Sequence, residues 1–242
     1  MRAHNPSHSN TSIIPIKAFM DNYIWLINNS GKVAIVDPGD AKPVIDYLKS
    51  NALYPKAILI THKHSDHIGG VETIKAAYPE VIIYGPKTSS FDFEYIALSE
   101  GDTLSIPDIG IKFDVLETPG HTDDHIVYYN EESLFCGDTL FACGCGRLFE
   151  GTAEQMYESL QKLKKLDLKT KVYCAHEYTL ENIRFAMSLD KNNPLLTRRF
   201  NEDKLKSNPL PSTIATELAT NPFLLAENSE KFKEIRLKKD AF

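Results

Sequence analysis

Ala57-Ile58-Leu59-Ile60-Thr61-His62-Lys63-His64-Ser65-Asp66-His67 joins a short apolar run to three histidines and an aspartate within six residues. The apolar run has the length of a buried strand, and the polar segment reads as the loop that leaves it. Imidazole suits zinc, iron and similar ions, and carboxylate adds a hard, charged ligand. His62 and His64, two apart, can project the same way from an extended backbone. Asp66 and His67 fall past the bend, where they can face a second ion. Lys63 and Ser65 alternate with the ligands and are expected to face away. A solvated histidine-rich loop would have the same composition, so the reading turns on the rest of the chain.

Three further segments repeat the design. Thr118-Pro119-Gly120-His121 follows the apolar-rich Ile111 to Leu116, Phe135-Cys136-Gly137-Asp138-Thr139 ends a short strand-like run, and Tyr173-Cys174-Ala175-His176-Glu177 ends another. Four strand ends that each deliver His or Asp describe one metal site at the rim of a sheet. His125 reads as a supporting or core histidine rather than an eighth ligand.

The chain has 242 residues, 42% of them hydrophobic, enough to bury a substantial core. A net charge of −6 disfavours a general nucleic-acid binder. Four cysteines in no secreted-type framework point to a reducing compartment, with the cytoplasm as the expected location. Cys143 and Cys145 read as small packing residues in a turn. No apolar stretch is long enough for a membrane span, and no signal sequence is recognised. Residues 1–11 are polar and are expected to be a disordered extension.

Strands are expected at Ile24–Ile27, Val33–Val36, Val81–Tyr84, Thr103–Ile106, Ile111–Leu116, Ile126–Tyr129 and Val172–Cys174. Val44–Leu53 and Ala153–Leu166 fit amphipathic helices, the second with Thr152 as N-cap. Beyond Tyr178 the pattern turns helical, over Leu180–Leu189, Leu195–Lys206, Thr213–Thr220 and Ser229–Lys239, with prolines at 194, 209, 211 and 222 between segments. The strands alone support an α+β, two-sheet layered domain.

His-x-His-x-Asp-His with distant His, Asp and His resembles the metallo-β-lactamase superfamily. Asp37-Pro38, Gly137-Asp138-Thr139-Leu140-Phe141, Gly144-Cys145-Gly146-Arg147, Glu150-Gly151-Thr152, His176-Glu177-Tyr178-Thr179 and the basic tail Arg236-Leu237-Lys238-Lys239-Asp240-Ala241-Phe242 narrow it to the glyoxalase II family, the hydroxyacylglutathione hydrolases. The resemblance runs from about Ile13 to Phe242. It implies a four-layer αββα sandwich over residues 12–177 and a small helical C-terminal domain over residues 178–242. It implies two divalent ions, zinc first, with iron and manganese also fitting. His62, His64 and His121 would hold one ion, Asp66, His67 and His176 the other, and Asp138 would bridge both. Asp66 and Asp138 are then the catalytic carboxylates, Asp66 also orienting the attacking hydroxide.

The substrate so implied is a glutathione thioester, S-D-lactoylglutathione, hydrolysed in the second step of methylglyoxal detoxification by a monomer without nucleic-acid or membrane partners. Glutathione carries two carboxylates. Arg236 and Lys239, three apart on one helix face, would meet them, and Arg147, Phe149 and Tyr178 match the other contact positions. Three departures from the family pattern stand out: Arg147 where Lys is common, Phe149 where Tyr is common, and Asp124 in place of glycine. Either the backbone there tolerates a side chain or an extra carboxylate sits near the metals; the first is expected, since Asp accepts unusual dihedrals better than most residues. The competing readings are another superfamily hydrolase, a mono-iron persulfide dioxygenase, which would leave Asp66, His67 and His176 without a shared purpose, and a non-catalytic metal-binding scaffold, which predicts lost ligands.

Overall fold

The runs Tyr23-Ile24-Trp25-Leu26-Ile27, Val33-Ala34-Ile35-Val36 and Ala57-Ile58-Leu59-Ile60 are apolar at every position, as strands buried on both faces must be. The computed structural model describes residues 11–242 and places all three runs inside one six-stranded sheet. Its strands lie side by side in chain order: β1 (Thr11–Ala18), β2 (Asn22–Asn29), β3 (Lys32–Val36), β4 (Tyr54–Leu59), β5 (Ile82–Pro86) and β6 (Ile96–Leu98). Pairing is antiparallel from β1 to β3 and parallel from β3 to β6.

A second sheet holds β7 (Thr103–Ile106), β8 (Ile111–Glu117), β9 (Ile126–Tyr129) and β10 (Ser133–Gly137). A two-stranded hairpin follows, β11 (Leu140–Phe141) with β12 (Gly144–Cys145). The sheet is completed by β13 (Lys171–Cys174) and β14 (Ser212–Thr213), in the order β14-β13-β10-β9-β8-β7. β8 and β10 are each antiparallel to β9, and β13 is parallel to β10. These three strands therefore run one way, and their C-terminal ends open on the same rim.

Alternation sorts the side chains of the first sheet. Trp25, Ala34 and Leu59 enter the core shared with the second sheet. Leu26, Ile35 and Ile58 enter a separate core with Val44 and Leu48 of α1 (Ala41–Ser50) and Val71 and Ile74 of α3 (Val71–Ala77). The one-turn α2 (Ser65–Ile68) stands between those helices in the chain. Met156, Leu160 and Leu163 of α4 (Ala153–Leu163) pack with second-sheet residues such as Leu134 and Val172. The layers are thus helix, sheet, sheet, helix. From Thr179 onward the chain is mainly helical: α5 (Thr179–Leu189), α6 (Pro194–Asp203), α7 (Ile214–Thr220) and α8 (Ser229–Asp240). Phe185, Phe223, Phe232 and Ile235 tie this part into the same core.

Caps set the helix ends. Thr152 and Gln155 form a reciprocal capping box on α4, Asn193 precedes a proline at the start of α6, and Asn228 caps α8. The expected helix over Val44–Leu53 starts a turn earlier, because the Asp40 side chain accepts from Lys42 N–H, and stops at Ser50 before Ala52 turns left-handed at φ 51°. Thr11 begins β1 and so does not belong to a disordered extension; the remainder of that expectation lies outside the described residues. Among the described residues no helix is long and apolar enough to cross a membrane.

Candidate metal centre

The cluster residues come from four strand ends and from the one-turn α2, which carries Asp66 and His67. Thr61 and His62 follow β4, His121 follows β8, Asp138 follows β10 and His176 follows β13. The two sheets meet at this rim through Ile126 N–H donating to the Thr61 carbonyl (2.9 Å) and the Tyr128 hydroxyl donating to the Ile60 carbonyl (2.8 Å). Gly137, at φ 46°, turns the chain into Asp138, and a Cβ there would stand 2.4 Å from Thr61 Oγ1.

His64 Nδ1 lies 3.1 Å from His62 Nε2 and 3.0 Å from His121 Nε2. Asp66 Oδ2 lies 3.5 Å from His67 Nε2 and 3.4 Å from His176 Nε2. Asp138 sits between the two groups: Oδ2 is 3.3 Å from His121 Nε2 and 3.4 Å from His176 Nε2, and Oδ1 is 3.4 Å from His67 Nε2. Ligands about 2.0–2.1 Å from a tetrahedral zinc are separated by roughly 3.3 Å, the edge of the tetrahedron. The spacings match that edge. His67 Nε2 and Asp138 Oδ1 are also buried without a hydrogen-bond partner, an arrangement that costs about 1–3 kcal/mol per group unless something else satisfies it. The donor set fits divalent cations.

Charge divides the rings: His62 and His121 are kept neutral, while His67 and His176 hold protons that an ion would displace. Burial pushes His62 well below the ordinary imidazole range, and burial is also the main cause of the drop at His121, so both rings are neutral donors. Burial pulls His67 and His176 the same way, but Asp138 together with Asp37 holds His67 up at about 10, and Asp138 with Asp66 and Asp21 holds His176 up at about 11. Against burial, these rings keep Asp66 and Asp138 well below the usual carboxylate range.

A ring of supporting groups orients the donors. Thr61 Oγ1 stands 3.0 Å from His62 Nδ1 and donates to Asp37 (2.8 Å), which also accepts from the Thr61 N–H (2.8 Å) and meets His67 Nδ1 at 3.1 Å. The Arg147 carbonyl meets His121 Nδ1 at 2.8 Å, and Asp21 meets His176 Nδ1 at 2.7 Å. Asn22 Nδ2 donates to Asp66 Oδ2 at 2.9 Å. His125 is fully buried, and its Nε2 accepts from the Asp138 N–H. That lone pair is therefore unavailable to an ion, as expected of a supporting histidine. Lys63 and Ser65 are exposed. Asp124 has no left-handed backbone, so unusual dihedrals are not the reason it is tolerated; its carboxylate accepts from Ser89 Oγ.

Beside the cluster opens a cavity of about 360 Å³, lined among others by His121, Asp138, Arg147, Phe149, Tyr178, Arg236 and Lys239. Phe149 stands edge-on to His64 and His121, with ring centroids 5.5 and 5.2 Å away. Tyr178 stacks on His176 at 5.1 Å. Arg236 is buried, donating to the Cys145 carbonyl (3.0 Å) and pairing with Asp240 (2.9 Å). Asp240 also meets Arg147 at 3.4 Å, and Lys239 meets Glu181 at 3.4 Å. The cations of the cavity are thus partly balanced already. A larger cleft of about 560 Å³ near Trp25 and Lys112 contains none of the clustered donors.

Sequence reasoning passed over Asp21, Asn22, Glu217 and Asn221. Glu217, fully buried, accepts from the Cys143 N–H (2.7 Å) and from Arg199 (2.6 Å). Asn221 donates to the Gly144 carbonyl at 2.9 Å. Together they hold the β11–β12 hairpin that leads into Arg147. All four cysteines are buried and unpaired; Cys143 packs against Ile183, Ala186 and Leu196, and Cys145 joins the main core.

The family model described as the metallo-beta-lactamase superfamily matches residues 19–176, and the one described as hydroxyacylglutathione hydrolase C-terminus matches residues 177–242. A hydroxyacylglutathione hydrolase of Nitrosomonas eutropha is 51% identical over 216 residues, covering 88% of this chain and 84% of its own. One of Vibrio campbellii is 50% identical over 226 residues, with 91% and 88% covered. Among solved structures, ETHE1 from Myxococcus xanthus superposes with a TM-score of 0.72 at 25% identity, over 94% of this chain and 89% of its own.

Proposed function

The chain belongs to the metallo-beta-lactamase superfamily and within it to the hydroxyacylglutathione hydrolases, and on that premise we propose that it hydrolyses the thioester of S-D-lactoylglutathione to D-lactate and glutathione. One observation carries the reading: seven donor side chains are spaced for ligation, and two of them, His121 and Asp138, line a cavity together with Arg147, Arg236 and Lys239. His62, His64 and His121 would hold one ion and Asp66, His67 and His176 the other, with Asp138 within reach of both. Two divalent ions bound there supply Lewis acidity and a hydroxide nucleophile at neutral pH. Zinc is our first choice, with iron and manganese also accommodated by His and Asp donors.

The protein's own groups do the rest. Asp66 would accept a hydrogen bond from the attacking hydroxide and so orient it toward the thioester carbonyl. Arg147, Arg236 and Lys239 bind the two glutathione carboxylates through charge-assisted hydrogen bonds, and residues 178–242 thereby act as the substrate-binding part. Phe149 and Tyr178 wall the cavity and keep the acyl group over the donors. The departing thiolate has a parent thiol of pKa about 8.5 and leaves without a general acid. We place the enzyme in the cytoplasm, as a monomer completing methylglyoxal detoxification, a setting that suits four buried, unpaired thiols.

Glutathione release from S-D-lactoylglutathione by metal-loaded protein tests this. Turnover abolished by a chelator and restored by zinc is the expected result. Absence of turnover by fully metallated protein would overturn the proposal.

A further inference from the structure

The turn between β1 and β2, taken with Asn22 that opens β2, touches the cluster at two points. Asp21 Oδ1 lies 2.7 Å from His176 Nδ1, and Asn22 Nδ2 donates to Asp66 Oδ2 at 2.9 Å. The backbone is fastened there as well: Tyr23 N–H donates to the Ala175 carbonyl (2.7 Å) and Glu177 N–H to the Asp21 carbonyl (2.9 Å), on either side of His176. The turn is held in a costly shape. Phe19 adopts φ 50° with its side chain 60% exposed, and Met20 is fully exposed. A bulky residue in the left-handed region costs about 1–3 kcal/mol, and neither side chain recovers that by burial. The shape is retained while its following residues, Asp21 and Asn22, face the cluster.

What the turn touches is selective. His62 is oriented by Thr61 and His121 by the Arg147 carbonyl, neither of which belongs to the turn. His67 is held by Asp37, from the end of β3. We propose that the β1–β2 turn is the positioning element of the second ion site alone, with Asp21 acting on His176 and Asn22 on Asp66. The inference rests on the two-ion reading above and adds that the two ions are bound through separately supported halves.

The chemistry follows from atom roles. A carboxylate can only accept, so Asp21 keeps a proton on His176 Nδ1 and leaves Nε2, beside Asp66 and Asp138, as the nitrogen that would give up its proton to an ion. The Asn22 amide fixes the rotation of the Asp66 carboxylate in the same way. Without these contacts the second site would have to order two of its three exclusive ligands during binding, whereas the first site would be unchanged.

Stepwise zinc titration of the metal-free chain, followed by calorimetry, checks this. The wild-type chain is expected to take up two ions. Asp21→Ala should bind the first with unchanged affinity and the second about 10–100-fold more weakly, the usual cost of losing a group that orients a ligand. Asp21→Asn, which keeps an acceptor for Nδ1–H, should recover most of the loss, and Met20→Ala should bind both ions normally. Unchanged binding of both ions by Asp21→Ala, an equal weakening of both, or the same loss in Met20→Ala would overturn the assignment. A wild-type chain that binds a single ion would overturn the two-ion reading and the inference with it.

Discussion

The Asp138 amide donates to His125 Nε2 across 3.1 Å. A histidine four residues beyond His121 thus serves the shared carboxylate through its backbone. Its other nitrogen lies 3.1 Å from the hydroxyls of Thr118 and Thr139, which closes the arrangement.

His125→Ala should therefore keep a capacity for two ions while binding them about 10–100-fold more weakly. Loss of a direct ligand would instead lower the stoichiometry. Metal analysis after dialysis against graded chelator separates the two outcomes.

Asp138→Ala should remove most of the metal and nearly all hydrolysis, because its two oxygens stand within 3.3–3.4 Å of rings from both groups. Near-normal turnover with full metal content would show that no shared carboxylate is needed.

Arg236→Ala combined with Lys239→Ala should raise KM for the thioester more than it lowers kcat. Each charge-assisted contact is worth about 1.5–3 kcal/mol, so a rise of 10-fold or more is expected. Asp240→Asn should move KM the other way, since it releases Arg236 and Arg147 from a competing carboxylate. Steady-state kinetics on the two variants is the check.

Glu217→Ala leaves Arg199 buried without its main partner, a change that costs about 3–5 kcal/mol. For a chain of this size that corresponds to a fall in Tm of roughly 6–20 °C. Glu217→Gln keeps an acceptor for the Cys143 N–H and should lose less. Thermal unfolding followed by circular dichroism reads both.

Burial pushes Cys145 up to about 11, against the neighbouring Arg236, and pushes Cys143 and Cys174 to about 12. An unfolded thiol ionises near 8.5. Above that pH the folded chain retains protons that the unfolded chain has released, so stability falls as pH rises from about 8.5 toward 11. A thiol-reactive dye at pH 9 should label none of these cysteines in the native chain and all of them after denaturation.

The convergence of these His and Asp side chains was legible in the sequence because they sit in short motifs at or just beyond strand ends. The all-apolar β2, β3 and β4 were legible because burial on both faces leaves no other pattern. β1, whose exposed positions break its apolar pattern, was not, nor was α2, which is a single turn. The supporting carboxylates were hidden for a different reason. Asp21 meets a residue 155 positions away and Glu217 one 74 away, and no local pattern marks such pairs. Asp40 as the α1 cap was readable in principle; the helix was placed a turn late because Ala41 and Lys42 carry little periodic signal.

The β11–β12 hairpin bears on modularity. Its carbonyls at Phe141, Ala142, Gly144 and Cys145 are satisfied by Asn221, Asn182, Asn221 and Arg236, and its Cys143 amide by Glu217. Every one of those partners lies beyond residue 177. The helical segment is therefore not an interchangeable cap. A chimera that exchanges it between relatives must carry residues 140–147 across as well, or the hairpin beside the ion cluster loses the side chains that give it shape.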